Sequence, residues 1–295
     1  MKKIVFNGCS FMAGDELVWD DYSKEVGNKL SWEWFTTGPS EQHTNENRVT
    51  WTEYHTVYKR KYNLPQHVSE LVGIDTDNKI DLSNEGKSND MISLSTVNYM
   101  LSIPIEDRHN YHVVIGWSSI ARAMKFVKKF KSFTNLNPNQ LEKHVAQKHN
   151  FTSDDEDYIK VVLINADDVD LYINYIKNIL LLENFLKANG ISYTFYRSLG
   201  SSKDFIPHSL TFQSGNLQDT LRLVESLDSK CWINFTSTEE THPSIGESWT
   251  SAMLQVPGNN GKFWVSPKNA HPNLDSVKSF ATIIAHKIKE DKCLD

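Results

Sequence analysis

Gly8-Cys9-Ser10-Phe11-Met12-Ala13-Gly14 follows directly on a short apolar run, Ile4 to Phe6. A serine at a strand-to-helix turn is held out of the sheet beside backbone N–H groups that can stabilise an oxyanion. That placement suits a nucleophile, and it equally suits a polar helix cap. A nucleophilic serine needs a base to take its proton. Two histidines stand before prolines, in Asn269-Ala270-His271-Pro272-Asn273 and in Glu239-Glu240-Thr241-His242-Pro243-Ser244. Glu239 sits three positions before His242, the spacing of an acid that could orient the ring, whereas Lys268 occupies that position before His271. Asp154, Asp155, Glu156 and Asp157 form an acidic run whose spacing alone shows no converging ligands. With no His-Glu-x-x-His, paired CxxC or phosphate loop, no metal and no cofactor is expected.

The elements that must position these residues alternate along the chain. Lys3 to Gly8, Ile80 to Ser83, Tyr111 to Trp117, Ile191 to Tyr196 and Cys231 to Asn234 read as strands. Pro65 to Val72, Asn89 to Leu101 and Leu217 to Leu227 read as helices. The clearest helix carries Val169, Tyr172, Ile173, Ile176, Ile179, Leu180 and Leu186 on one stripe and stops at Asn189-Gly190. A last helix begins at Pro272 and Asn273 and carries Leu274, Val277, Ala281, Ile284 and Ile288 on one face. Strand, helix, strand in that order predicts a parallel sheet with crossover helices. Two stretches interrupt it, at about residues 18–60 and 120–160. The expectation is a single α/β domain over residues 1–295 with two insertions. Arg122, Lys125, Lys128, Lys129 and Lys131 make a basic run, expected on the solvated face of a helix.

Composition narrows the function classes. A net charge of −6 argues against phosphate-driven nucleic-acid binding, which needs a net basic face. No apolar run approaches the roughly 20 residues of a membrane span, so no membrane partner is expected. Two lysines before the short Ile4 to Phe6 stretch do not make a secretory signal. Cys9, Cys231 and Cys293 cannot make a disulfide framework, which favours a cytoplasmic setting. Eight Trp, eleven Tyr and fourteen Phe fit core packing, and they also leave rings over for stacking on a sugar or base. Trp32, Trp34 and Trp51 fall in the first insertion, and Trp117 ends the third strand.

Gly8, Ser10 and Gly14 resemble the Gly-Asp-Ser-x-x-x-Gly block of the SGNH (GDSL-type) hydrolases, with Cys9 in place of Asp. Asp81-Leu82-Ser83-Asn84-Glu85-Gly86-Lys87-Ser88-Asn89-Asp90 is similar to that family's second block, and Ile115-Gly116-Trp117-Ser118-Ser119 falls where its third block has Gly-x-Asn-Asp. The segment around His271 resembles the last block, Asp-x-x-His-Pro, which precedes the final helix. The spelling is also similar to SGNH-like proteins encoded by tailed bacteriophages, which would make the setting a host cytoplasm.

The resemblance implies a three-layer α/β/α sandwich of flavodoxin-like type with a parallel sheet of about five strands. It implies Ser10 as nucleophile and His271 as base, with His242 and Glu239 as the alternative base and acid. The oxyanion would be held by Ser10, Gly86 and Ser118, and the substrate by Trp117 and Asn89. The implied activity is hydrolysis of an O-acyl ester, above all O-acetyl, on a carbohydrate or small molecule. Ser118 in place of Asn, and Lys268 in place of Asp, keep open a non-catalytic member of the same fold, a binding or virion-associated protein. Transfer of the acyl group to an alcohol instead of water shares the same acyl-enzyme step.

Overall fold

The computed structural model describes residues 2–14, 53–84, 86–120, 122–127, 132–136, 168–199, 222–235, 242–244, 247–255 and 271–291. Trp32, Trp34, Trp51, Glu239, Lys268 and Asn269 lie outside the described residues, as do the acidic run at 154–157 and most of both insertions.

Strands β1 (Lys3–Gly8), β2 (Lys79–Asp81), β3 (Tyr111–Trp117) and β6 (Ser192–Arg197) form one sheet in the order β2-β1-β3-β6, and every neighbouring pair is parallel. The expected fifth strand is reduced to a single parallel bridge between Phe195 and Trp232, with the Ile233 N–H donating to Phe195 O at 2.9 Å. β2 ends two residues early because Asp81 Oδ1 accepts from the backbone N–H of Ser83 at 3.0 Å and from its hydroxyl, an Asx turn that competes with the ladder.

Period-two alternation in the strands sends side chains to two cores. Ile4, Phe6, Val114 and Tyr196 meet α2 (Leu64–Val72) and α6 (Leu274–Glu290) on one face. Val5, Val113, Ile115, Tyr193 and Phe195 meet α3 (Asn89–Leu101) and α4 (Asp168–Ala188) on the other. The result is three layers, α/β/α. Side-chain caps fix the helix starts: Asn63 accepts from Gln66 N, Ser88 from Met91 N and Asn273 from Ser276 N. The stripe of α4 differs in part from the expected one, since Tyr175 and Leu182 are buried while Ile173 and Leu180 are only half-buried.

The second insertion departs from expectation. Lys125 of the basic run is not helical: β4 (Ala123–Val127) and β5 (Ser132–Leu136) pair antiparallel with Phe126 opposite Phe133, while Lys128, Lys129 and Lys131 lie outside the described residues. Near the end of the first insertion, residues 54–61 form one π and one 3-10 turn where no regular element was expected.

Candidate active site

The order β2-β1-β3-β6 reverses direction between β1 and β3, and in open parallel sheets the crevice at the carboxyl ends of such a strand pair is the usual ligand site. Ser10 lies there. β1 ends at Gly8 and Ser10 opens α1 (Ser10–Ala13), one turn that stops at Gly14 in the left-handed region (φ 74°) with its N–H on Ser10 O at 2.9 Å. So abrupt a turn needs a glycine at position 8, where a Cβ would stand 2.9 Å from Met12 Cβ and 3.0 Å from Gly116 O. Gly116 is required in the same way: a Cβ there would sit 2.5 Å from the Tyr196 hydroxyl, which itself donates to Met12 Sδ at 3.6 Å. Two glycines side by side in the β1–β3 register therefore let α1 settle onto the strand ends. Cys9 is fully buried in the core, facing away from any reactive role.

His271 Nε2 lies 3.0 Å from Ser10 Oγ, across 261 residues of sequence. The distance is within reach for proton transfer. The position follows from α6, since Asn273 caps that helix and His271 is held two residues upstream. The α6 residues Val277, Phe280, Ala281, Ile284 and Ile288 are buried against the sheet and α2, so the helix start is fixed. Phe11 packs against the ring at 5.4 Å, and Trp249, at the start of α5 (Trp249–Gln255), meets Phe11 edge-on and stacks on Phe280 at 4.2 Å. No motif pointed to Phe11 or Trp249 as the packing beside His271.

His242 is placed differently. Its Nδ1 accepts from the Ser244 N–H at 3.1 Å and lies 2.8 Å from Ser244 Oγ. The ring stands edge-on to Trp232 at 5.8 Å, and Ser244 O accepts from the Tyr175 hydroxyl at 3.2 Å. Burial lowers its pKa from the ordinary value. Its ring is thus held by its own turn and by Trp232 of the α3/α4 core. The structure brings the expected pair Ser10 and His271 together and gives His242 a packing role.

Gly86 takes φ 68°, and among the described residues nothing stands within 4 Å of where its Cβ would be. Its loop reaches the strand that leads into Ser10, because the Leu82 N–H donates to Phe6 O at 2.8 Å and the Asn84 N–H to Gly8 O at 3.2 Å. Ser118 ends β3, one strand over. Its N–H donates to Asn89 Oδ1 at 2.8 Å, and its hydroxyl accepts from Arg122 Nη1 at 3.0 Å. An accepted bond leaves the hydroxyl proton available to donate.

Two expected substrate contacts are corrected. Trp117 is fully buried, edge-on to Phe195 at 5.5 Å and to Tyr175 at 6.2 Å. Strand alternation sets it on the same inner face as Val113 and Ile115, so it offers no ring for stacking. Asn89 is also buried, and its amide donates to Ser118 O at 3.3 Å and Ser119 O at 3.1 Å. Its side chain is a clamp between the start of α3 and the end of β3.

Among the described residues no group of three or more His, Cys, Asp or Glu could hold a metal ion, and no helix is long and apolar enough to cross a membrane. No family model, no curated protein and no solved structure matches the chain.

Proposed function

We propose that this chain is a serine esterase of SGNH type, hydrolysing an O-acyl ester, above all an O-acetyl group on a carbohydrate or small molecule. The observation that carries this reading is the 3.0 Å contact between Ser10 Oγ and His271 Nε2 at the carboxyl end of β1. Ser10 Oγ attacks the acyl carbon while His271 Nε2 takes its proton. The resulting oxyanion is held by the N–H groups of Ser10 and Gly86 and by the Ser118 hydroxyl. The intermediate collapses, His271 returns the proton to the leaving alkoxide, and an acyl-Ser10 ester remains. Water then repeats the sequence with His271 as base, releasing the acid and restoring Ser10. For Nε2 to accept, the neutral ring carries its proton on Nδ1.

The test is hydrolysis of p-nitrophenyl acetate by wild type and Ser10→Ala. Activity in the first and background in the second supports the reading; equal background rates remove it. One observation favours a second reading, a binding protein on the same fold. Ser118 is shorter than the Asn of the resembled family, and its N–H is already taken by Asn89 at 2.8 Å. Loss of one oxyanion donor lowers rates by about 100-fold to 1,000-fold. A protein without esterase activity that retains carbohydrate binding would fit this second reading.

A further inference from the structure

Beneath the Ser10 turn lies a buried lysine that the proposed chemistry does not use. Lys87 is 8% exposed, and its Nζ donates to Asn7 Oδ1 at 2.9 Å, Leu82 O at 2.5 Å and Ser95 Oγ at 3.1 Å. An ammonium has three donors, and all three are used. The acceptors come from three places: the end of β1, the segment leaving β2, and α3.

Asn7 extends the network. It is fully buried; its Oδ1 also accepts from the Gly8 N–H at 2.9 Å, and its amide donates to Ile92 O at 3.0 Å, Ser95 Oγ at 2.9 Å and Thr96 Oγ1 at 2.8 Å. Burial pulls the Lys87 amine down to about 8, the nearby Asp81 carboxylate opposing it, so the group stays largely charged at pH 7. A buried charge is expensive unless fully hydrogen-bonded, and an apolar side chain of similar length would avoid that expense. Its location explains what the charge holds. Lys87 directly follows Gly86, which among the described residues has nothing within 4 Å of where its Cβ would be. The Gly86 N–H is therefore bracketed by the Asn84 N–H bond to Gly8 O at 3.2 Å on one side and by the Lys87 anchor on the other.

We propose that Lys87 is a positioning residue, tying the Gly86 loop to the strand end that carries Ser10 and so fixing the separation of the two backbone N–H groups in the oxyanion site. The consequence for catalysis rests on the esterase reading; the tethering of the loop does not.

Two measurements on the full chain separate these. Backbone hydrogen exchange over residues 82–90 compares wild type with Lys87→Met, and protection there is expected to fall by about tenfold or more while β3 and α6 keep theirs. Equal protection over 82–90 overturns the proposal whatever the activity. In p-nitrophenyl acetate hydrolysis, Lys87→Met is expected to lose about 100-fold in kcat with KM within about threefold, the pattern of a misplaced oxyanion donor. Lys87→Arg, which retains charge and donors, is expected to recover part of that loss. Unchanged kcat in folded Lys87→Met overturns the catalytic consequence, with Ser10→Ala still reporting on hydrolysis itself. Lost protection in a protein without esterase activity would keep the tether and remove the esterase reading. Should Lys87→Met not fold, Ser95→Ala removes one acceptor of the three; a fall of about threefold to tenfold in kcat with raised exchange over 82–90 is expected, and no change in either overturns the proposal.

Discussion

His271 and His242 each stand before a proline, and only their surroundings tell them apart. His271 enters a long amphipathic helix whose buried face fixes its start, so the ring is carried to Ser10. His242 enters a turn at Pro243 and Ser244, and its Nδ1 is taken by the N–H of its own Ser244. The two contacts call for opposite tautomers. A Ser10 hydroxyl donating to Nε2 places the His271 proton on Nδ1, whereas a backbone N–H donating to Nδ1 places that of His242 on Nε2. A histidine's role is thus set by which ring nitrogen the fold occupies, more than by the residues flanking it in sequence.

The sharpest way to break this comparison is to remove each ring in turn. His271→Ala is expected to lower kcat for p-nitrophenyl acetate by about 10³-fold or more, with KM nearly unchanged. His242→Ala is expected to keep activity within about threefold, since its contacts lie in the other core. A His242→Ala protein as inactive as His271→Ala would exchange the two assignments. The glycines under α1 come next. Gly116→Ala drives a methyl into the Tyr196 hydroxyl and is expected to destabilise the protein by about 1–3 kcal/mol in urea titration, with kcat falling as Met12 and the Ser10 turn shift. For His242→Ala the expected loss is about 1–2 kcal/mol, from a broken turn bond and lost packing on Trp232.

A last effect concerns acid. A third histidine, His112, is fully buried between Ser192 Oγ at 2.9 Å and Thr194 Oγ1 at 3.1 Å, and burial pushes its pKa down to about 3 from 6.5. The unfolded chain therefore binds a proton that the folded one does not. Its contribution is full above pH 6.5 and is lost as pH falls toward 3, at about 1.4 kcal/mol per pH unit. His242 and His67, both lowered by burial, act in the same direction. Urea unfolding at pH 7, 6 and 5 should show declining stability, with a shallower decline in His112→Gln; a flat profile in wild type would contradict the buried neutral rings.

Much of the frame was legible in the sequence because it depends on local signals. Asn89–Leu101 and Tyr111–Trp117 take the expected bounds, the first capped by Ser88 and the second an unbroken inner run. The Ser10 and His271 motifs stood in order at strand and helix ends, and the fold brings them into contact. Three things depended on contacts far apart in the chain. Trp117 looked like a binding ring because its motif lies at the site, but strand alternation turns it inward. Asn89 looked like a substrate contact, and Lys87 carried no role of its own, until Ser118 and Asn7 met them across 29 and 80 positions. The one sequence clue to that network was Asn7 itself, a polar side chain inside a buried strand. The segment Ala123–Val127 became a strand because its partner Ser132–Leu136, not its own periodicity, decides its form.

Active-site labelling tests the central claim most directly. Wild type treated with a fluorophosphonate should gain a single adduct by intact mass, mapped by peptide analysis to Ser10. Ser10→Ala should gain none, and His271→Ala should react about 100-fold more slowly or worse, lacking its base. An adduct on another residue, equal labelling of Ser10→Ala, or no adduct on wild type would contradict a Ser10 nucleophile activated by His271.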